Sequence, residues 1–288
     1  MRSSRLRWCL LLLKMAVAGA VVVLIVGVHY CLLPIAKNNK NTMKLITYNM
    51  HKGFGVGNRR LVLHDMREAL RAANADIVCL QELQGEHHHH RNNHRHWPEE
   101  EQLEFLADSL WPHTAYGKNA VYQHGHHGNA ILSRQPFSDW ENINVSHREN
   151  ASRSLLHGVI ESNDGQRLHI ICVHLGLFER ERRRQIRQLS DRIESHVPHH
   201  EALLIAGDFN DWRQRCDRYL RQHSEVEEVF EAHLGKVAPS FPAWYPLLKV
   251  DRVYARGVSV NAVKRLTGQP WRGLSDHIPL SVEFDWPN

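Results

Sequence analysis

Short apolar runs alternate with amphipathic stretches from Met43 to the end of the chain. KLITYNM predicts a first strand. In NRRLVLHDMREALRAANAD, Leu63, Met66, Leu70 and Ala73 then recur at helical spacing. DIVCLQEL predicts a second strand and GEHHHHRNNHRHW a polar loop. PEEEQLEFLADSLW begins on proline and acids and sets Leu103, Leu106 and Leu110 on one face, which predicts a helix. NAILSR, LLHGVIE and LHIICVHLG predict further strands, and the turn signal SNDG makes the last two an antiparallel pair. FERERRRQIRQLSDRIESHV is the clearest helix, with Ile186, Leu189, Ile193 and Val197 as its apolar stripe and arginines opposite. LLIAGDFND, a helix over WRQRCDRYLRQH, KVDRVYARG and SDHIPLSVEFDW complete the series. Strands interleaved with helices predict one α/β domain over 43–288 with mixed sheets.

The N-terminal part follows a different pattern. From Met15 to Leu33 there is no Asp, Glu, Lys or Arg, and WCLLLL extends the apolar stretch upstream of Lys14. A helix of roughly 28 Å nearly matches a hydrocarbon core of about 30 Å. A cleaved signal peptide fits less well, because LLPIAK offers Pro34 where a small residue is needed. The expectation is a tail and transmembrane anchor over 1–35 and a polar linker, AKNNKNT, over 36–42. Arg2, Arg5 and Arg7 favour a cytoplasmic N-terminus, which puts the folded domain on the periplasmic or extracellular side.

Polar residues at the ends of the runs carry the chemistry. LITYN ends at Asn49, IVCLQE at Glu82, IICVH at His174, and LLIAGDFN at Asp208 and Asn210. Any one of them is an ordinary turn residue. Four such ends in one chain point to a site, because in α/β sheets ligands bind at the carboxyl ends of the strands. VDRVY and SDHIPL add Asp251, Asp276 and His277 at strand beginnings, which reach the same face if those strands run the other way. Composition changes this picture little. A 42% hydrophobic and 23% charged chain is globular rather than disordered. The formal charge of +5, with 23 histidines in reserve, leans toward anionic partners. Five cysteines without paired spacing predict buried thiols, not a disulfide or zinc framework.

YNMHKG, LQE, VHLG, GDFND, VDRVY and SDHIPL, in this order, resemble the motifs of the deoxyribonuclease-I-like endonuclease/exonuclease/phosphatase superfamily. The resemblance runs from Leu45 to Phe284. It implies a four-layer α/β/β/α sandwich of two mixed β-sheets, and hydrolysis of a phosphate ester with a divalent metal, usually Mg2+ with Mn2+ as a substitute. Carried onto these positions, it makes Glu82 the principal metal ligand, with Asn49 and Asp276 completing the shell. Asp208 is then the base that activates water, and Asn210 contacts the phosphate or that water. His277 and His174 donate to phosphate oxygens, and Asp251 orients His277. Arg153, opening SRSLLHGVI, matches a phosphate-binding arginine or is a surface residue. Gly207 is expected to let substrate approach the backbone.

The expected partner is a phosphodiester, either nucleic acid or a lipid headgroup, with the membrane as second partner through the N-terminal helix. A phospholipid-headgroup phosphodiesterase or a phosphatase is the alternative within this chemistry. A reading of another class, a non-enzymatic metal-binding envelope protein, rests on the insertion carrying His87, His88, His89, His90, His94 and His96. That insertion, like His124, His126 and His127, otherwise reads as solvated loop. In FPAWYPLLK, Phe241, Trp244 and Tyr245 read as a substrate wall, a lipid-facing lip or core packing.

Overall fold

A strand buried on both faces reads as an unbroken apolar run, and the strands found by that signal build the centre of the molecule. The computed structural model describes residues 42–58, 60–87, 97–98, 100–122, 125–146 and 153–286. The expected anchor, most of the linker, His88, His89, His90, His94, His96 and His124 lie outside the described residues. Among the described residues no helix is long and apolar enough to cross a membrane.

The strands are β1 (Thr42–Asn49), β2 (Ile77–His87), β3 (His113–Tyr122), β4 (Gly125–Ser133), β5 (Phe137–Asn144), β6 (Ser154–Glu161), β7 (Arg167–His174), β8 (Ala202–Asp208), β9 (Glu227–Glu228), β10 (Asp251–Arg256), β11 (Ser259–Arg265) and β12 (Leu280–Asp285). The helices are α1 (Leu63–Ala73), α2 (Gln102–Ala107), α3 (Glu179–His196), α4 (Asp217–Ser224) and α5 (Val229–Leu234). They form two six-stranded sheets, ordered β11-β12-β1-β2-β4-β3 and β5-β6-β7-β8-β10-β9. Each holds one parallel pair, β1 with β2 and β7 with β8; the other pairings are antiparallel. A parallel pair needs a crossover, supplied by α1 in the first sheet and α3 in the second.

The alternation of side chains along each strand sorts them into three cores. Leu45, Cys79, Ile170, Cys172, Leu204 and Ala206 meet between the sheets. Ile46, Tyr48, Val78 and Leu80 pack outward against Leu63, Met66 and Leu70 of α1. On the other outer face, Ile171, Val173, Leu203 and Ile205 pack against Ile186, Leu189 and Ile193 of α3. Two mixed sheets with helices outside agree with the expected sandwich, and Cys79, Cys172 and Cys216 are buried free thiols as expected. All three cores lie within Asn41–Asn288, which forms a compact unit by itself.

The pattern misses β3, β5, β9 and β11, which are the edges of the two sheets. β5 and β11 hold no fully buried residue, so they carry no apolar run. Two helices are shorter than their patterns. Residues 212–216 form turns before α4 begins at Asp217, and α2 covers only Gln102–Ala107. His126 and His127 lie in β4 rather than in a loop, and β2 continues to His87 through the start of the predicted polar loop.

The structure also reassigns Gly207. A Cβ there would lie 2.0 Å from the Val173 carbonyl oxygen, and its φ of 149° is one that side chains rarely adopt. The glycine admits the neighbouring strand β7, not substrate. Gly207→Ala is therefore expected to destabilise the domain by about 3 kcal/mol or more. Urea denaturation measures it; a change within about 0.5 kcal/mol contradicts this packing.

Candidate active site

The two parallel pairs bring the ends of β1, β7 and β8 to one edge, beside the middle of β2. Asn49 stands beside Gln81 where β1 meets β2, and His174 stands beside Asp208 where β7 meets β8. The Asn49 amide Nδ2 donates to Asp208 Oδ2 at 3.1 Å, joining the ends of the two sheets. β10 runs antiparallel to β8, so its first residue, Asp251, lies opposite Asp208. β12 runs antiparallel to β1, so the turn before it returns to the end of β1. There the Ser275 hydroxyl donates to the Asn49 carbonyl at 2.8 Å.

Asp208, Asp251 and His277 form the buried centre. His277 Nδ1 lies 2.8 Å from Asp251 Oδ2, and its Nε2 points toward Asp208 Oδ2 at 4.0 Å. His174 Nε2 is 3.7 Å from the same Asp208 oxygen. Burial, with the Asp251 charge beside it, pushes Asp208 up to about 7, against His277 and the hydrogen bonds from Asn210 and Asn49. Burial opposes charge on His277, but Asp251, then Asp208 and Asp276, outweigh it and raise it to about 10. His174 goes the other way: burial, and the nearby charges of Arg153, His277, His127 and Lys52, hold it well below the ordinary histidine range. One imidazole is thus kept cationic and one neutral around a carboxylate poised to exchange a proton near neutrality.

Glu82 reaches this edge by a different device. It lies in the irregular stretch of β2 between Leu80 and Leu83, and its φ of 56° is left-handed. A bulge of this kind re-aims a side chain, and the strain it stores is typical of functional positions. Its carboxylate acts on His127, opposing burial and the Lys52, Arg153 and His126 charges, which still lower that imidazole to about 4. Asp276 Oδ1 lies 3.1 Å from His51 Nδ1. Burial disfavours the charge on Asp276, but His51 and His277 hold it below its ordinary value.

Glu82, Asn49 and Asp276 carry two carboxylates and an amide oxygen, hard donors of the kind a magnesium-like cation takes. The Asn49 oxygen accepts from the His51 N–H at 3.1 Å, and His51 Nδ1 lies 3.1 Å from Asp276 Oδ1. Asp208, Asp251 and His277 lie close enough to hold an ion, with ligand atoms within 4.8 Å of one another. There, however, the His277–Asp251 hydrogen bond already occupies two of those atoms.

The structure brings together Asn49, His174, Asp208, Asp251, Asp276 and His277. Asn210 follows β8 with its backbone N–H on Asp208 Oδ1 and its side-chain amide donating to the Leu175 carbonyl, both short of the centre. Arg153 precedes β6 and acts electrostatically on His174 and His127. Asp211 is a turn cap, taking the N–H groups of Arg215 and Cys216. Three neighbours, His51, Lys52 and Ser275, were not singled out from the sequence, and His127 was read as solvated loop. The first two lie just past Asn49 with positive φ, and adjacency to YNM was the only signal available. Phe241, in the hairpin before β10, rests on the His277 ring at 4.9 Å between centroids, supporting the wall reading for that residue.

The profile of the Endonuclease/Exonuclease/phosphatase family matches residues 46–277. Uncharacterized protein YbhP of Escherichia coli is 44% identical over 244 residues, covering 84% of this chain and 96% of that relative. Three solved structures share the fold. The endonuclease/exonuclease/phosphatase of Beutenbergia cavernae aligns at a TM-score of 0.71 and 18% identity, covering 86% of this chain and 72% of its own. D. rerio TDP2, complexed with single strand DNA product, aligns at 0.63 and 19%, covering 85% and 99%. The Bacteroides thetaiotaomicron mannosyl-6-phosphatase aligns at 0.62 and 14%, covering 85% and 100%.

Proposed function

The chain belongs to the endonuclease/exonuclease/phosphatase family of metal-dependent phosphoester hydrolases, and on that premise we propose that it cleaves a phosphodiester by attack of water activated at Asp208. The observation that carries this is the convergence of Asp208, His174 and the His277–Asp251 pair on one strand edge. The other reading, a non-enzymatic metal-binding protein, rests on a histidine-rich segment that lies mostly outside the described residues.

In this mechanism Asp208 takes the proton of the attacking water through the oxygen that Asn49 orients. Asn210 stands two residues on and contacts the phosphate or that water. His277, held cationic by Asp251, donates from Nε2 to a non-bridging phosphate oxygen, where negative charge grows in the transition state. His174, neutral in its buried position, acts as a second donor, and Arg153 adds positive charge on the same side. Glu82, Asn49 and Asp276 are assigned to Mg2+, with Mn2+ as a substitute. When bound, the metal neutralises charge on the phosphate and polarises its oxygens. The apolar segment 15–33 supports membrane attachment with a cytoplasmic N-terminus and the domain on the periplasmic or extracellular side. Protease accessibility in intact and lysed cells tests that placement.

A direct test uses residues 41–288 with plasmid DNA, RNA, a chromogenic phosphodiester, a chromogenic monoester and phospholipids, each with Mg2+ and with a chelator. Metal-dependent cleavage of a diester is expected. Cleavage of the monoester alone makes the protein a phosphatase, and no cleavage of any substrate contradicts the assigned activity.

The pH dependence tests the His277 assignment. Asp208 must be ionised and His277 protonated, so kcat/KM should rise through about pH 7 and fall near pH 10. A bound cation favours the carboxylate and moves the acid limb lower. Asp251→Asn keeps a hydrogen-bond acceptor for Nδ1 but removes the charge that raises His277. The alkaline limb should then move down by about two pH units. An unmoved limb removes His277 from the donor role.

A further inference from the structure

Six of the ten exposed large apolar side chains among the described residues lie on three loops next to the catalytic strands; Val56, Val121, Trp140 and Leu234 lie elsewhere. Leu177 and Phe178 follow β7, Trp212 follows β8, and Trp244, Tyr245 and Leu247 occupy the hairpin before β10. Phe178 is 77% and Trp244 66% exposed, so neither contributes a core contact that would explain its size. The three loops are neighbours. Asn210 binds the Leu175 carbonyl, and Arg252 donates to the carbonyls of Asp211 and Lys249. The Ala243 N–H donates to the Asp276 carbonyl, which sets the hairpin against the active-site turn. Clustered exposed apolar side chains mark an interaction surface, and this one rims the assigned site.

Charge narrows the partner. Segments 175–187, 209–218 and 236–250 together hold ten Lys or Arg and four Asp or Glu. That excess is larger than the whole chain's net charge of +5. The Arg213 guanidinium lies 4.4 Å over the Trp212 ring, keeping a cation and an aromatic together. Aromatic and aliphatic tips with cations beside them suit the boundary between headgroups and acyl chains, where each group finds its preferred surroundings. Nucleic acid would use the aromatic faces for stacking. It has no comparable use for Leu177 and Leu247, which are 67% and 63% exposed and have no ring.

We infer that this rim docks the domain on an anionic lipid bilayer, bringing headgroup phosphodiesters to the Asp208 edge. The choice of substrate rests on the phosphodiesterase activity proposed above; the docking does not.

The test uses residues 41–288, which form a compact unit and exclude the apolar segment 15–33 as a source of membrane binding. Solved structures of this fold that are covered over 99% or 100% of their length consist of this domain alone. Co-flotation is measured in chelator with vesicles of phosphatidylcholine alone or mixed with phosphatidylglycerol, and binding to a single-stranded oligonucleotide is measured in parallel. The wild type should bind the anionic vesicles and not the neutral ones, and salt should weaken binding. Two double variants, Leu177→Ser with Phe178→Ser and Trp244→Ser with Tyr245→Ser, should each bind them about tenfold or more weakly. Their circular dichroism spectra should match the wild type's.

Absence of wild-type binding to anionic vesicles, or wild-type binding by both variants, overturns the inference. Loss of oligonucleotide binding with vesicle binding intact makes the rim a nucleic-acid platform and overturns it equally. Hydrolysis of a soluble diester by the same preparations separates the two claims. Docking without hydrolysis refutes the proposed activity, and hydrolysis without docking refutes the rim.

Discussion

Asp208→Asn is expected to lower kcat about a thousandfold while leaving the domain folded. The amide keeps the shape of the carboxylate but cannot take a proton from water. Two donors now reach Asp208: the Asn210 N–H on Oδ1 and the Asn49 amide on Oδ2. An asparagine satisfies one of them, so one hydrogen bond worth about 1 kcal/mol is lost. Against this, the variant no longer buries a charge next to Asp251.

The folded-state value of Asp208, about 7, lies above its ordinary value of 3.8. Its contribution to wild-type stability is therefore complete below pH 3.8 and is lost as pH rises through about 7. Relative to wild type, Asp208→Asn should gain stability across that interval. Thermal midpoints at pH 4 and pH 8, beside single-turnover rates on a chromogenic diester, measure both effects. Activity within about tenfold of wild type would take Asp208 out of the base role.

Glu82→Gln should act through the metal instead. Magnesium takes few protein ligands and depends on their charge, so replacing one carboxylate with an amide removes much of its hold. Half-saturating Mg2+ should rise at least about a hundredfold, beyond the range seen for residues that only support a ligand. Since Glu82 is part-exposed and its backbone bulge is unaltered, stability should change little. Mn2+ binding followed by electron paramagnetic resonance reads the loss without reference to turnover. Unchanged Mn2+ affinity would move the metal away from Glu82, toward the other group of potential ligands, Asp208, Asp251 and His277.

The limits of sequence reading follow from exposure. β1, β2, β7 and β8 were legible because both of their faces are buried, which demands continuous apolar residues. β3, β5, β9 and β11 were not, because edge strands pack on fewer neighbours and accept polar residues. The start of α4 was misplaced because Asp211 caps a turn whose residues also fit a helical pattern. Gly207 looked like room for substrate, and only the position of the Val173 carbonyl revealed a packing role.

The sequence by itself determined the α/β class, the four central strands and the identity of the polar groups at their ends, since burial and strand polarity leave a local record in residue type. Tertiary structure decided which of those groups touch. Asn49 and Asp208 are 159 positions apart, yet hydrogen-bonded across two sheets. The opposed charge states of His174 and His277 depend on which neighbours surround each buried ring. Coulomb energy and desolvation depend on distance and burial in space, and neither is written in the spacing along a chain.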